Sequence, residues 1–444
     1  MYNYTAMKKE ISCCRCQNYK WDWDDDIDYG PFQEIEDKIY CIFHAPNGMK
    51  SISADTFNAK VIKIIFNAKK KNKLCNLQGA IFQFDISFNA DFYLHKRLSD
   101  DIEDITLFPA INLAHCNFYG KVDFVKIKFD QSNFTSTIFH DNVIFSAVRF
   151  SPNISFQFVI FQKDVNFYFT FFEGDVRLNV VKFIGSANFN VVQFEGKAIF
   201  SGSTFESISS FYFAKFHEQA NLNNLIIVKH ISMNEMDFTK VSFANTDLRK
   251  VEFINPKWPE KKSRRIVFDE TLLSKEGNNN HNLVEALYRK LKQKYIDEHG
   301  WVEVSNWHYG EKEMLRKGNY LRRFLPFSPL LLYFISCGYG ERPLRATIVL
   351  FFLTIILTFA SAEAGLYAEE GSIYGINCIA NLSELKDFAK FRLAYLNTLQ
   401  IAIFKQPYLI PKTIFGGYIK FITQILVPIQ SAFLVLALRN RFRR

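Results

Sequence analysis

Between residues 113 and 253 a bulky apolar residue, most often Phe, returns every five or six positions. From Phe139 to Met233 the steps alternate six, five, six, five without a break. Leu178, Leu222, Ile227, Met233 and Leu248 stand in for Phe in the same register. Neither the helical nor the strand period produces this spacing. A short repeat held over so long a stretch is the mark of a solenoid. A second column runs two residues ahead of the first, with small or β-branched residues such as Val122, Ile127, Ser132, Thr137, Val143, Ala187, Ser203 and Ala220. Spacing of two puts both side chains on one face of a short extended segment. Each unit therefore reads as one short wall, with a large and a small residue inside and a turn at its corner. Stacking such walls buries a continuous aromatic column and pairs backbone between coils.

The stretches Ala187-Asn188-Phe189-Asn190, Ala220-Asn221-Leu222-Asn223 and Phe243-Ala244-Asn245-Thr246-Asp247-Leu248 resemble the repeat of the pentapeptide-repeat proteins. The five-six alternation is similar to the Phe-rich variant of that family. The resemblance implies a right-handed, four-sided β-helix over residues 51–255. At about 21 residues per coil, the repeat stretch 113–253 would make six to seven coils and a rod on the order of 30 Å long. Residues 51–75 are expected to cap the first coil, and 95–110, a charged stretch that breaks the register, to form an insertion at one corner.

The chain has 444 residues and a formal net charge of +9, which raises the question of nucleic acid. Across residues 113–255, however, 13 acidic and 13 basic residues cancel. A DNA-mimicking rod of this family would have to be acidic, and a DNA-binding one basic. The neutral rod argues against both, so no nucleic-acid partner is expected. No phosphate loop, zinc-protease motif or nucleophile elbow occurs, and the histidines are scattered, so no enzymatic activity is expected.

Residues 1–50 carry Cys13 and Cys16, then Cys41 and His44, each pair with two residues between its members. Paired short spacings bring both ligands of a knuckle to one ion, and four such ligands suit tetrahedral Zn²⁺. The expectation is a structural zinc with no open position for catalysis. Cys14 is an alternative ligand to Cys13, and a set of reduced thiols with His44 at the surface is the alternative to a metal site. The eight cysteines do not form a disulfide framework, and no signal peptide is expected.

Beyond the repeat, residues 256–281 read as a polar linker. A helical hairpin is expected over 282–325, its first helix capped near Asn282 and presenting Val284, Leu287, Tyr288, Leu291 and Tyr295 on one face. The membrane domain would occupy 326–444. Residues 344–362 hold one charge, Arg345, and 414–438 hold only Lys420, so each is long and apolar enough to span a bilayer, a buried soluble helix being the alternative. Arginines and lysines flank the outer ends of the pair, which places both termini and the solenoid in the cytosol, most simply of a bacterial inner membrane. Between the spans, 391–404 is too short to cross and reads as a re-entrant helix.

Span, short helix and span, together with Tyr339-Gly340-Glu341-Arg342-Pro343-Leu344-Arg345 and the Leu438-Arg439-Asn440-Arg441-Phe442-Arg443 ending, resemble ion-channel-like pentapeptide-repeat proteins. The resemblance implies a homo-oligomer. The short helix is followed by Lys405-Gln406-Pro407-Tyr408, which lacks the glycines of a potassium filter. On the last helix Gly417, Lys420, Gln424, Pro428 and Ser431 fall within about 80° of arc. This stripe either lines a pore or hydrogen-bonds between helices. Two functions follow as expectations: an oligomeric, channel-like membrane protein with the solenoid as sensor or assembly platform, or a non-conducting membrane-tethered scaffold that binds a protein partner along the rod.

Overall fold

The computed structural model describes residues 13–21, 27–88, 106–262, 264–275, 280–318, 328–367, 378–379 and 382–443. The chain resolves into two units, residues 1–294 and 295–444.

The first unit is a β-solenoid of about seven turns. Two- and three-residue strands enter four parallel sheets in rotation, the sheets holding six, eight, seven and eight strands. Ile138 pairs with Ile160 and Val143 with Val165, so a central coil takes 22 residues rather than 21. Two fives and two sixes add to this number, which is why the alternation is so strict.

The bulky column resolves into ladders, one ring per coil. Phe124, Phe145, Phe167, Phe189 and Phe211 stack in near-parallel pairs 4.6–5.0 Å apart. Phe118, Phe139, Phe161, Phe183 and Phe205 do the same at 4.7–5.4 Å. Ring spacing follows strand spacing, because each ring stands on a strand hydrogen-bonded to the next. Neighbouring ladders meet edge to face, as Phe156 meets Phe145 and Phe167. The small column is buried throughout, and several of its hydroxyls bond the main chain. Thr137, Thr170, Ser203 and Thr246 each donate to a main-chain carbonyl of the preceding coil at 2.6 Å.

Two corners of every central coil use a residue with positive φ. One column holds His115, Ser136, Phe158, Val180, Gly202, Asn224 and Asn245; the other holds Lys126, Ala147, Phe169, Val191, Phe213, Glu235 and Asn255. Gly and Asn suit this conformation, whereas Phe and Val are strained in it.

The first coil is covered by the N-terminal segment. Helix α1 (Cys14–Asn18) and the hairpin Gln33–Ile35/Lys38–Tyr40 lead to helix α2 (Ala54–Lys70), which Ser53 caps by accepting from Thr56 N. Phe57, Val61, Ile64 and Ile65 of α2 are buried, and Phe57 meets the rings of Phe82 and Phe84. Ile81 N donates to Phe43 O at 2.7 Å, so the knuckle itself takes the place of a preceding strand on one wall. Most of the expected 95–110 insertion lies outside the described residues. Its last part is not an insertion, because Thr106–Phe108 pairs with Ile127–Phe129 as a solenoid strand.

The expected linker, 256–281, is a folded cap wherever it is described. Trp258 stacks on Phe238 at 4.8 Å and meets Phe253 edge-on. A hairpin (Glu260–Lys261/Arg264–Arg265) and helix α3 (Phe268–Lys275) follow. Asp269 accepts from Ser242 Oγ and Phe243 N, closing the last coil's edge. Arg264 and Glu270 form a buried ion pair at 2.7 Å. The polar composition misled the reading because these charges pair with each other instead of with water. Helix α4 (His281–Asp297) begins one residue before the expected cap, so Asn282 lies inside it. Its five expected face residues are all buried.

The second unit holds helices α5 (Trp301–Lys317), α6 (Pro329–Cys337), α7 (Pro343–Glu363), α8 (Phe388–Ala402) and α9 (Ile414–Phe442). Helices α7 and α9 are long and apolar enough to cross a membrane. Only 28% and 22% of their apolar stretches are buried, unlike the core helices of a soluble domain. Helix α6 and a small sheet, with Leu366–Tyr367 between Cys378–Ile379 and Ile410–Pro411, had no counterpart in the sequence reading.

Candidate metal centre and polar sites of the long helices

Cys13, Cys16, Cys41 and His44 converge, fully or almost fully buried, with their ligand atoms within 4.8 Å of one another. Cys13 and Cys16 bracket the first turn of α1, and Cys41 and His44 bracket a tight turn in which His44 N donates to Cys41 O. His44 Nδ1 lies 3.3 Å from both Cys16 Sγ and Cys41 Sγ and 3.6 Å from Cys13 Sγ, and the Cys16 and Cys41 sulfurs are 3.6 Å apart. Tetrahedral zinc, at about 2.3 Å from sulfur and 2.0 Å from nitrogen, requires ligand separations of about 3.5–3.8 Å. The donor set and its spacing therefore fit a four-coordinate ion. Cys14, the alternative ligand, lies outside the group and is half-buried.

The group's second shell comes from the first coil. Nε2 of His44 faces Gln78 O at 3.2 Å, leaving Nδ1 directed at the sulfurs. Trp21 Nε1 donates to the same carbonyl at 2.8 Å, and its ring meets His44 edge-on at 4.5 Å. Without a cation the three thiols oppose one another. Hydrogen bonds from Cys16 and Cys41 pull the Cys13 thiol far down, partnership with Cys13 pushes Cys16 up, and burial pushes Cys41 up. A divalent cation would remove this conflict by letting all three cysteines bind as thiolates, with His44 as a neutral ligand. The cluster can hold a metal ion. Neither Gln78 nor Trp21 carries any signal of this role in the sequence.

On α9 the stripe residues take different positions. Gly417 is exposed, with nothing within 4 Å of where a Cβ would stand, and Lys420, Gln424 and Ser431 are half-buried. Pro428 and Ser431 line a 660 Å³ cavity with Thr347, Thr354, Tyr395 and Val427, whereas Gly417, Lys420 and Gln424 do not. The packed face of α9 lies beside this stripe, at Gly416, Ile419, Thr423, Val427, Gln430 and Ala437. Gln430, which the sequence reading passed over, donates to Ser336 O at 3.0 Å and Ala346 O at 3.1 Å and so ties α9 to α6 and α7.

Helix α8 packs between α7 and α9. Thr358 bonds Thr398 at 3.0 Å, and Ala402 meets Leu357 and Val427. The chain then turns back along α8. Asn397 Nδ2 donates to Leu409 O at 3.1 Å, Leu409 N donates to Asn397 Oδ1 at 2.8 Å, and Tyr408 N donates to Gln400 Oε1 at 3.2 Å. The returning strand, Ile410–Pro411, pairs with Leu366–Tyr367 just past the end of α7. These contacts give a short helix and a return segment held side by side.

Residues 113–160 match the family model described as pentapeptide repeats (9 copies). This part of the solenoid thus matches pentapeptide repeats. No curated protein matches the chain.

Proposed function

We propose that the chain is a membrane-anchored, non-enzymatic pentapeptide-repeat protein that assembles as an ion-channel-like homo-oligomer. Its solenoid, on the cytosolic side with both termini, acts as sensor or assembly platform. The Cys13, Cys16, Cys41 and His44 group holds a structural Zn²⁺ that fastens the cap onto the first coil. The observation that carries the channel reading is the return segment beside α8. Asn397 and Gln400 bond its main chain between two long apolar helices, the plan of a re-entrant pore element. Pore lining is assigned to Gly417, Lys420, Gln424 and Ser431 of α9.

A second reading is favoured by a specific surface. Phe169 and Phe213, two coils apart on the same corner, sit strained and 43–45% exposed, where a protein partner of a non-conducting scaffold would dock. Single-channel recording from purified protein in planar bilayers separates the two. Discrete conductance altered by Lys420→Leu and Gln424→Leu is expected for the channel. Silence from correctly inserted oligomers would leave the scaffold.

A further inference from the structure

One end of the second unit gathers arginines that, among the described residues, no carboxylate neutralises. Arg342 and Arg345 stand at the start of α7, and Arg439, Arg441 and Arg443 at the end of α9. Asn440 Nδ2 donates to Gly340 O at 2.9 Å, which brings the end of α9 to the turn before α7. That turn is tightly determined. Gly338, Tyr339 and Gly340 all have positive φ, and the buried Tyr339 hydroxyl donates to Glu313 while accepting from Arg316. Glu313 is taken up by Arg316 and Lys317, and Glu341 accepts from Ser305. Among the described residues, none of the five arginines has a salt-bridge partner, and all five are exposed.

The guanidiniums adjoin exposed apolar surface. Arg345 lies over the Phe334 ring at 4.7 Å, beside Arg316 at 4.8 Å, and its Nη1 donates to Phe334 O. That bond leaves most of its five N–H donors unused. Phe334 belongs to α6, a helix of nine residues without a charge, which exposes Leu332 and Ile335; Leu344 and Phe442 beside the arginines are 74% and 84% exposed. A guanidinium beside exposed apolar side chains suits the depth at which lipid phosphates lie. Every basic residue in the two stretches is Arg and none is Lys, the choice suited to bidentate phosphate recognition.

We propose that Arg342, Arg345, Arg439, Arg441 and Arg443 form a binding site for the phosphate headgroup of anionic phospholipids, with α6 lying in the interface beside it. The proposal rests on the membrane reading above. The test uses delipidated full-length protein in detergent. Binding of phosphatidylglycerol, phosphatidylcholine and inorganic phosphate is followed by native mass spectrometry and thermal midpoint. Phosphatidylglycerol should be retained and raise the midpoint, and phosphatidylcholine should do neither. Affinity should fall about fivefold per arginine removed in Arg345→Gln and Arg441→Gln, and should weaken with salt. Equal retention of both lipids would overturn the proposal, as would displacement of phosphatidylglycerol by millimolar inorganic phosphate, which would mark a soluble-anion site. Should a variant fail to fold, the salt dependence of the unmodified protein decides. Carbonate extraction keeps the two readings apart: a protein that leaves the membrane fraction sinks the membrane reading, whereas one that stays without preferring anionic lipid sinks only this inference.

Discussion

Two phenylalanines two positions apart should respond to substitution with opposite signs. Phe167 is fully buried and stacks at 4.9 Å on both Phe145 and Phe189, with edge contacts to Phe156 and Phe161 at 5.8 and 6.2 Å. Phe167→Ala removes the ring and leaves a cavity whose walls are other rings fixed on hydrogen-bonded strands. The cost of such a change is about 3–5 kcal/mol, and the upper end applies here because the walls cannot close in. Phe169 is 45% exposed with φ of 56°. A non-glycine residue there costs about 1–2 kcal/mol, and Asn tolerates the conformation best after Gly. The companion corner holds Gly202, Asn224 and Asn245 in the same conformation. Phe169→Asn gives up an edge contact with Phe171 at 5.5 Å, roughly 0.5 kcal/mol, so the net should be a gain of about 1 kcal/mol or less. Urea unfolding of the full chain, followed by the β-sheet circular dichroism signal, measures both. A Phe169→Asn variant destabilised by more than about 1 kcal/mol would refute the strain argument. A Phe167→Ala variant losing less than about 2 kcal/mol would refute the rigid ladder.

The purified chain should carry one zinc per protomer by plasma mass spectrometry. Cys16→Ser should abolish this and speed proteolysis within residues 13–50, since the metal would be the link that ties the two knuckles to each other. Gln430→Leu, which removes both donors to Ser336 and Ala346, should cost about 1–3 kcal/mol in detergent melts. The half-buried Gln424→Leu should stay within about 0.5 kcal/mol, and equal effects would contradict the packing described for α9. Burial alone would raise the Glu313 carboxyl, but Arg316 and Lys317 outweigh it and bring it down to about 2 from 4.5. A depressed carboxylate adds stability above its unfolded value and loses it as pH falls from 4.5 through 2. The loss is roughly 3 kcal/mol. The thermal midpoint should drop over that window, and Glu313→Gln should be flatter there while starting lower at neutral pH.

What depends on neighbours close along the chain is legible before any folding is considered. Phe and small columns recur at fixed local offsets, and every residue of the small column is buried. The same holds for the buried face of α4, the lengths of the two apolar helices, and the two cysteine-histidine knuckles, whose ligand types and spacing are chemistry written locally.

What depends on distant partners emerges from the fold alone. Gln430 and Ser336 are 94 residues apart, and Asn440 and Gly340 are 100 apart. Gln78 looks like any polar wall residue until the knuckle folds onto its carbonyl. The charges of 256–281 read as solvated until Arg264 and Glu270 meet in the cap, and Thr106–Phe108 reads as part of an insertion until it pairs with the next coil. The physical reason is common to all of these. Burial follows from a repeating local pattern of apolar residues, whereas a polar side chain acquires its role from whichever main-chain group the fold brings to it, and no local pattern records that choice.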